Sequence, residues 1–222
     1  MYSEFKSSDM EIIYQQITSV NDIGYSDAIE IYKASFPSNE RQPLDLVKER
    51  VEKGLSKLHV GYLGNEMVSI AFLWYFVNSE YVLLDYMAVA EKYRNMKIGG
   101  DFFKFLTHKA ISDKKYLILE VEDSNYGDNM EQRKKRIQFY VRNGAFILKD
   151  VPYLLPSLDN TQPTEMLLMM APCNKNKQVE KTEIEILIAR LYRELYHKNE
   201  DNSLLHTILK RIPQPITLVN EF

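Results

Sequence analysis

The stretch Leu83-Leu84-Asp85-Tyr86-Met87-Ala88-Val89-Ala90-Glu91-Lys92-Tyr93-Arg94-Asn95-Met96-Lys97-Ile98-Gly99-Gly100-Asp101-Phe102-Phe103 reads as strand, tight loop, helix. The apolar run up to Val89 suits a buried strand, and Phe102, Phe105, Leu106 and Ile111 then recur at helical spacing through residues 98–111. Gly99 and Gly100 fall in the first turn of that helix. Glycine there costs roughly 0.5–1 kcal/mol relative to alanine, unless the backbone must come close to something. A helix N-terminus carries unpaired N–H groups and the positive end of the dipole, so it attracts phosphate. Arg94 at the loop entry and Lys97 inside it add positive charge. The residues read as a pyrophosphate cradle, although an ordinary strand–helix turn with two packing glycines fits the same spacing.

Upstream, residues 58–63 and 67–77 are two strand candidates joined by Gly64-Asn65, a hairpin signal, and residues 81–89 make a third. The three form an antiparallel meander. A first strand is expected within residues 11–20, a helix capped by Asp22 over 25–36, and a short helix over 44–53 ending at Gly54. Pro37 and Pro43 bracket a loop, residues 38–42. Downstream the pattern changes to strand (116–121), polar loop (123–129), helix (130–142) and strand (145–148), with Asn143-Gly144 as a helix C-cap signal. A proline-containing loop, 151–163, leads to a last strand over 166–170, whose methionines read as core. A meander followed by β-α-β indicates an α+β fold with a mixed sheet.

Beyond Pro172 the character shifts. Residues 174–178 read as a polar linker and 180–197 as an amphipathic helix with Ile184, Leu187, Ile188, Leu191 and Leu195 on one face. A shorter helix over 201–211 is stopped by Pro213 and Pro215. Two domains are therefore expected, a main one over 1–172 and an appended helical hairpin over 173–222. Packing on the core and pairing with a second copy, as a homodimer, are both open to the hairpin.

The 222 residues are 45% hydrophobic and 27% charged, the balance of a globular chain. A net charge of −3 and a pI near 5.9 give no strong pull toward nucleic acid or anionic lipid, and neither partner is expected. The single cysteine, Cys173, has no partner for a disulfide or a metal cluster. His59, His108, His197 and His206 lack metal-ligand spacing, so no metal is expected. Residues 1–10 lack the basic-then-apolar order of a signal peptide, and the apolar run 68–77 is too short to span a bilayer. A cytoplasmic location is the expectation.

The central stretch resembles the main motif of the GNAT N-acetyltransferases, in which Arg or Gln is followed by two variable residues, Gly, a variable residue, and Gly or Ala. Arg94, Gly99 and Gly100 fit, while Lys97 stands where the first glycine is usual. Lys97 must therefore adopt the backbone conformation glycine supplies, or shift the loop. Leu119-Glu120-Val121 sits where the family places a strand that splays to admit the pantetheine arm. The run Ile137-Gln138-Phe139-Tyr140-Val141-Arg142-Asn143-Gly144-Ala145-Phe146 resembles the family's second motif. The resemblance covers residues 11–170 in element order.

It implies a GNAT fold, an α+β arrangement with a mixed, mostly antiparallel central sheet whose strands splay. It implies acetyl-coenzyme A as co-substrate, held by the backbone of Met87, Ala88 and Val89 and by Arg94, Asn95, Met96, Lys97, Ile98, Gly99 and Gly100. The acceptor would be an amine: a small molecule, an amino acid or a peptide N-terminus.

An alkyl amine must lose a proton before it attacks a thioester, and the departing thiolate must gain one. Glu120 is the candidate base, as in family members that acetylate protein N-termini, and a solvated strand-end carboxylate is its plainer reading. Glu122 and Asp85 are the other carboxylates open to that role. Tyr140 is the candidate acid, its phenol able to donate without prior ionisation. Residues 36–43 are expected over the acceptor, where Glu40 or Arg41 could touch substrate. The charge run over 133–136 reads either as a contact for the nucleotide's 3′-phosphate or as a wet helix face. A non-catalytic acyl-coenzyme A-binding module, with the tail docking a partner, stays open because of Lys97, as does transfer of a longer acyl group.

Overall fold

A computed structural model describes residues 3–7, 10–38, 40–156, 162–173, 178–199 and 201–222. The chain divides into two compact units, Met1–Leu117 and Ile118–Phe222.

In the first unit β1 (Ser3–Ser7), β2 (Met10–Ile17), β3 (Ser56–Leu63), β4 (Glu66–Tyr75) and β5 (Tyr81–Val89) pair in that order, each antiparallel to the next. Strand β1 was not anticipated. Helices α1 (Ile23–Ser35) and α2 (Leu44–Glu52) precede β3, and α3 (Ile98–Ser112) follows β5. The two faces of the meander take different helices. Ala28 and Tyr32 of α1 and Val47 and Val51 of α2 pack on Leu58, Val60, Ile70, Phe72, Tyr86 and Ala88. On the other face Tyr14 stacks on Phe102 and Phe105 of α3, with ring centroids 5.3 and 4.6 Å apart. Strand β4 is consequently buried along nearly its whole length, which explains its unbroken apolar run.

Asp22 occupies the N-cap position of α1, yet its carboxylate accepts the amides of Thr18 and Ser19, at 3.2 Å each, rather than capping the helix. A bulge in the β4–β5 pairing sets Phe72 opposite Tyr86 and Leu73 opposite Leu84, which leaves Asp85 as the extra residue.

In the second unit β9 (Thr164–Ala171) lies next to β6 (Tyr116–Glu122) and pairs antiparallel with both β7 (Phe146–Lys149) and β8 (Tyr153–Leu155). Helix α4 (Met130–Arg142) ends at Asn143, and Gly144 with φ 95° closes it as the sequence implies. The expected loop over 151–163 is corrected by β8, while its residues 157–161 lie outside the described residues.

The expected linker 174–178 also lies largely outside the described residues. After it come α5 (Lys181–Arg190), a π-helical turn (Leu191–Leu195), α6 (Ser203–Arg211) and β10 (Thr217–Val219). The helix expected over 180–197 thus runs unbroken from Lys181 to Leu195, turning from α to π at Leu191. Strand β10 pairs antiparallel with β7, so residues 173–222 add a sheet strand as well as helices.

Candidate active site

The loop at the head of α3 folds as its charge and glycines require. A 3-10 turn (Glu91–Tyr93) leaves β5, and Asn95 and Lys97 both take the left-handed conformation, with φ 66° and 62°. Asparagine tolerates that region. Lysine does so at a cost, and Lys97 nonetheless adopts it as the N-cap of α3. Of the two alternatives for Lys97, the structure takes the first: the loop keeps its shape with a side chain where glycine is usual.

The amides of Asn95, Met96, Lys97, Ile98 and Gly99 meet no acceptor among the described residues, while those of Gly100 and Asp101 turn back to the Lys97 carbonyl (3.0 and 3.3 Å). Successive amides in such a turn form a concave donor surface at the positive end of a 15-residue helix. The donor set fits a polyphosphate: several N–H groups, with the side chains of Arg94 and Lys97 exposed beside them. Arg94 Nε donates to the Val89 carbonyl at 3.4 Å. Met87, Ala88 and Val89 pair with Ala71, Ile70 and Ser69 of β4 along one edge of β5.

In the same unit the loop ending at Pro43 is tied from below. The Gln42 amide donates to the phenol oxygens of Tyr32 and Tyr86 (3.0 and 3.1 Å), and the Tyr86 hydroxyl donates to the Glu40 carbonyl at 3.3 Å. Rings of Phe36, Tyr32 and Tyr86 pack edge to face around these bonds. Burial pushes the Tyr32 phenol up to about 12. Asp85 sits 3.7 Å from Arg50, whose guanidinium lies over the Trp74 ring at 5.1 Å. Burial pushes the Asp85 carboxyl up to about 6, against the pull of Arg50.

The second unit holds the other carboxylates. Glu120, on β6, accepts hydrogen bonds on both oxygens: the Tyr153 hydroxyl of β8 donates to Oε1, and the Tyr196 hydroxyl donates to Oε2 at 2.6 Å. Tyr192 packs against Tyr153 (ring centroids 6.3 Å) and donates to the Leu154 carbonyl at 2.5 Å. Burial, reinforced by the Glu120 charge, holds the Tyr153 phenol far above its ordinary range.

Two residues on, Glu122 is bound by Arg133 (2.8 Å) and Arg136 (2.7 Å) of α4. The charge run over 133–136 is therefore partly a clamp between helix and strand. Arg133 also donates to the Asp123 and Tyr126 carbonyls. Tyr140 is half-buried near the end of α4, edge-on to Phe139 at 5.1 Å. Burial raises its phenol and Arg136 opposes the shift, so it stays protonated near neutrality.

Neither Tyr153 nor Tyr196 was legible as a partner of Glu120. They lie 33 and 76 residues further along, one inside a presumed loop and one in the presumed hairpin. The one local signal was Tyr192 and Tyr196 at helical spacing off the apolar stripe of α5.

A groove of about 1080 Å³ opens in the second unit, walled by β7, β8, β9 and residues 218–222. Tyr153 lines it, with Asp123, Glu165 and Glu221 among its acidic groups and Lys149 and Arg211 its basic ones. Among the described residues no three metal-ligating side chains gather, and no helix is long and apolar enough to cross a membrane.

No protein-family model matches the chain, and no curated protein sequence matches it. Solved structures do: the chain has the fold of the GNAT acetyltransferases. A Bacteroides thetaiotaomicron protein described as an acetyltransferase from the GNAT family superposes with a TM-score of 0.70 at 22% identity, over 84% of this chain and 99% of its own. An aminoglycoside 6′-N-acetyltransferase solved with coenzyme A gives a TM-score of 0.54 at 14% identity, over 74% and 99%. The ribosomal-protein-S18-alanine N-acetyltransferase of Escherichia coli gives 0.50 at 15%, over 75% and 98%. Identities this low establish the fold and leave the activity to the site.

Proposed function

We propose that this protein is an N-acetyltransferase of the GNAT family, moving the acetyl group of acetyl-coenzyme A to a primary amine in a ternary complex. One observation carries the reading: five amides without acceptors among the described residues, shaped by left-handed Asn95 and Lys97, at the head of α3 on this fold. They would take the diphosphate, with Arg94 and Lys97 adding charge and residues 87–89 of β5 offering backbone groups to the pantetheine arm. The neighbours solved with coenzyme A support the same co-substrate.

The chemistry follows from the residues at hand. The acceptor arrives as an ammonium ion, and its proton passes to the Glu120 carboxylate, directly or through water. The free amine attacks the thioester carbonyl, the C–N bond forms and the C–S bond breaks. The sulfur takes the proton of the Tyr140 phenol, which burial has kept in place; the amide nitrogen returns its surplus proton to that phenolate, and Glu120 releases the first proton to solvent. Each carboxylate oxygen has two lone pairs, so Glu120 can accept this proton while both phenols remain bonded to it. Neighbours named as an aminoglycoside 6′-N-acetyltransferase and a ribosomal-protein-S18-alanine N-acetyltransferase support an amine acceptor. The acidic groups of the groove beside Tyr153 suit a cationic one. A soluble cytoplasmic setting fits this co-substrate.

The test is thiol release from acetyl-coenzyme A against a panel of small amines, amino acids and peptides, with mass detection of the acetylated product. Turnover of one amine class, lowered roughly 10²–10⁴-fold but still measurable in Glu120→Gln and Tyr140→Phe, is expected. Coenzyme A binding without any turnover would favour the non-catalytic module, and no binding would refute both.

A further inference from the structure

The geometry points to Tyr196 as the residue that positions Glu120 for proton transfer, so that residues 173–222 complete the catalytic site instead of merely flanking it. This inference rests on the assignment of Glu120 as the base.

Tyr196 follows the π-helical turn Leu191–Leu195 that ends α5. Its amide bonds the Leu191 carbonyl at 3.2 Å, five residues back, and the Lys198 amide reaches the Tyr192 carbonyl at 2.8 Å. Such a turn accommodates one more residue than an α-helical turn, which swings everything after it by about 100°. The amphipathic stripe itself stays buried: Ile184, Leu187, Ile188, Leu191 and Leu195 are each at most 2% exposed. The widened turn closes the end of that buried face. Its effect falls on Tyr196, whose hydroxyl meets Glu120 Oε2 across 76 residues of chain.

Glu120 is thereby fixed from two sides. Tyr153 donates to one oxygen and Tyr196 to the other, so the carboxylate plane and its rotamer are set. Tyr192 braces Tyr153 through its ring and β8 through its bond to the Leu154 carbonyl. A general base gains rate from being held in productive geometry by groups that themselves are locked. Tyr196 acts through the base it is bonded to, which makes it a positioning residue.

Four forms of residues 1–222 test this: wild type, Tyr196→Phe, Glu120→Gln and the double variant. Thiol release from acetyl-coenzyme A is followed with spermidine, alaninamide and a short peptide, using whichever amine is turned over. Tyr196→Phe is expected to lower kcat about tenfold, a fraction of the 10²–10⁴ that a general base supplies, with KM for acetyl-coenzyme A unchanged. In the Glu120→Gln background the same substitution should cost nothing further, because it acts through the missing carboxylate. An undiminished kcat in Tyr196→Phe, an additive loss in the double variant, or unfolding of Tyr196→Phe would overturn the inference and leave Tyr196 a structural bond. Full turnover in Glu120→Gln would instead strike the base assignment, and with it this inference. If none of the three amines is turned over, the proposed function itself fails.

Discussion

Acidification from pH 7 to pH 5 is expected to destabilise the first unit through His59, a histidine on β3 that is 1% exposed. Both ring nitrogens lack a hydrogen-bond partner among the described residues, and the ring lies edge-on to Phe105 of α3 at 6.1 Å. Burial lowers the imidazole from 6.5 to about 4, with Lys109 and Lys57 adding to the effect and Asp113 opposing it. A histidine kept neutral by the fold contributes stability that is complete above the unfolded value and is lost as pH falls toward the folded one. The interval from 6.5 to about 4, at about 1.4 kcal/mol per unit, comes to about 3 kcal/mol in full, of which about 2 kcal/mol is gone by pH 5. Asp85 works in the opposite sense: its carboxyl, raised to about 6, favours the folded state as pH falls from 6 toward 4. The comparison is therefore drawn between wild type and His59→Leu, in which the share of Asp85 cancels. Urea unfolding at pH 7 and pH 5 should show wild type losing about 2 kcal/mol more than His59→Leu on acidification. An equal loss in the two proteins would refute the reasoning.

Two further substitutions probe the site and its support. Lys97→Gly removes a side chain from a left-handed residue (φ 62°) and relieves roughly 1–2 kcal/mol of strain. Added freedom in the unfolded chain offsets part of that, so thermal unfolding should show a gain of about 0.5–1 kcal/mol. Calorimetry should show weaker coenzyme A binding, since the loop loses a cation. Glu122→Gln strips Arg133 and Arg136 of their counter-charge, and with Arg133 only 14% exposed the loss should be about 1–3 kcal/mol in urea unfolding.

The parts of the fold that were legible have both a period and an end signal. Strand β5 runs over Tyr81–Val89 and α4 over Met130–Arg142, the limits that apolar spacing and Gly144 imply. Strand β8 has three residues between prolines, too short for alternation to register, and β10 is held by its partner β7 more than by its own pattern. The π-helical turn is invisible in periodicity because the apolar stripe continues through it. At the candidate site, the cradle was legible because its signal is local: a charged loop, then two glycines opening a helix. The setting of Glu120 was not, because both its phenol partners arrive from distant segments and nothing near residue 120 announces them. Glu122 looked interchangeable with Glu120 from sequence, yet its two arginines come from α4 and commit it to an ion-pair cluster.

Amide hydrogen exchange with and without coenzyme A tests the main premise most directly, since it reads the backbone donors themselves. At a ligand concentration roughly 100 times Kd, exchange of the amides of residues 95–99 should slow roughly 100-fold. Rates at those positions that stay the same while coenzyme A is bound elsewhere would contradict the account.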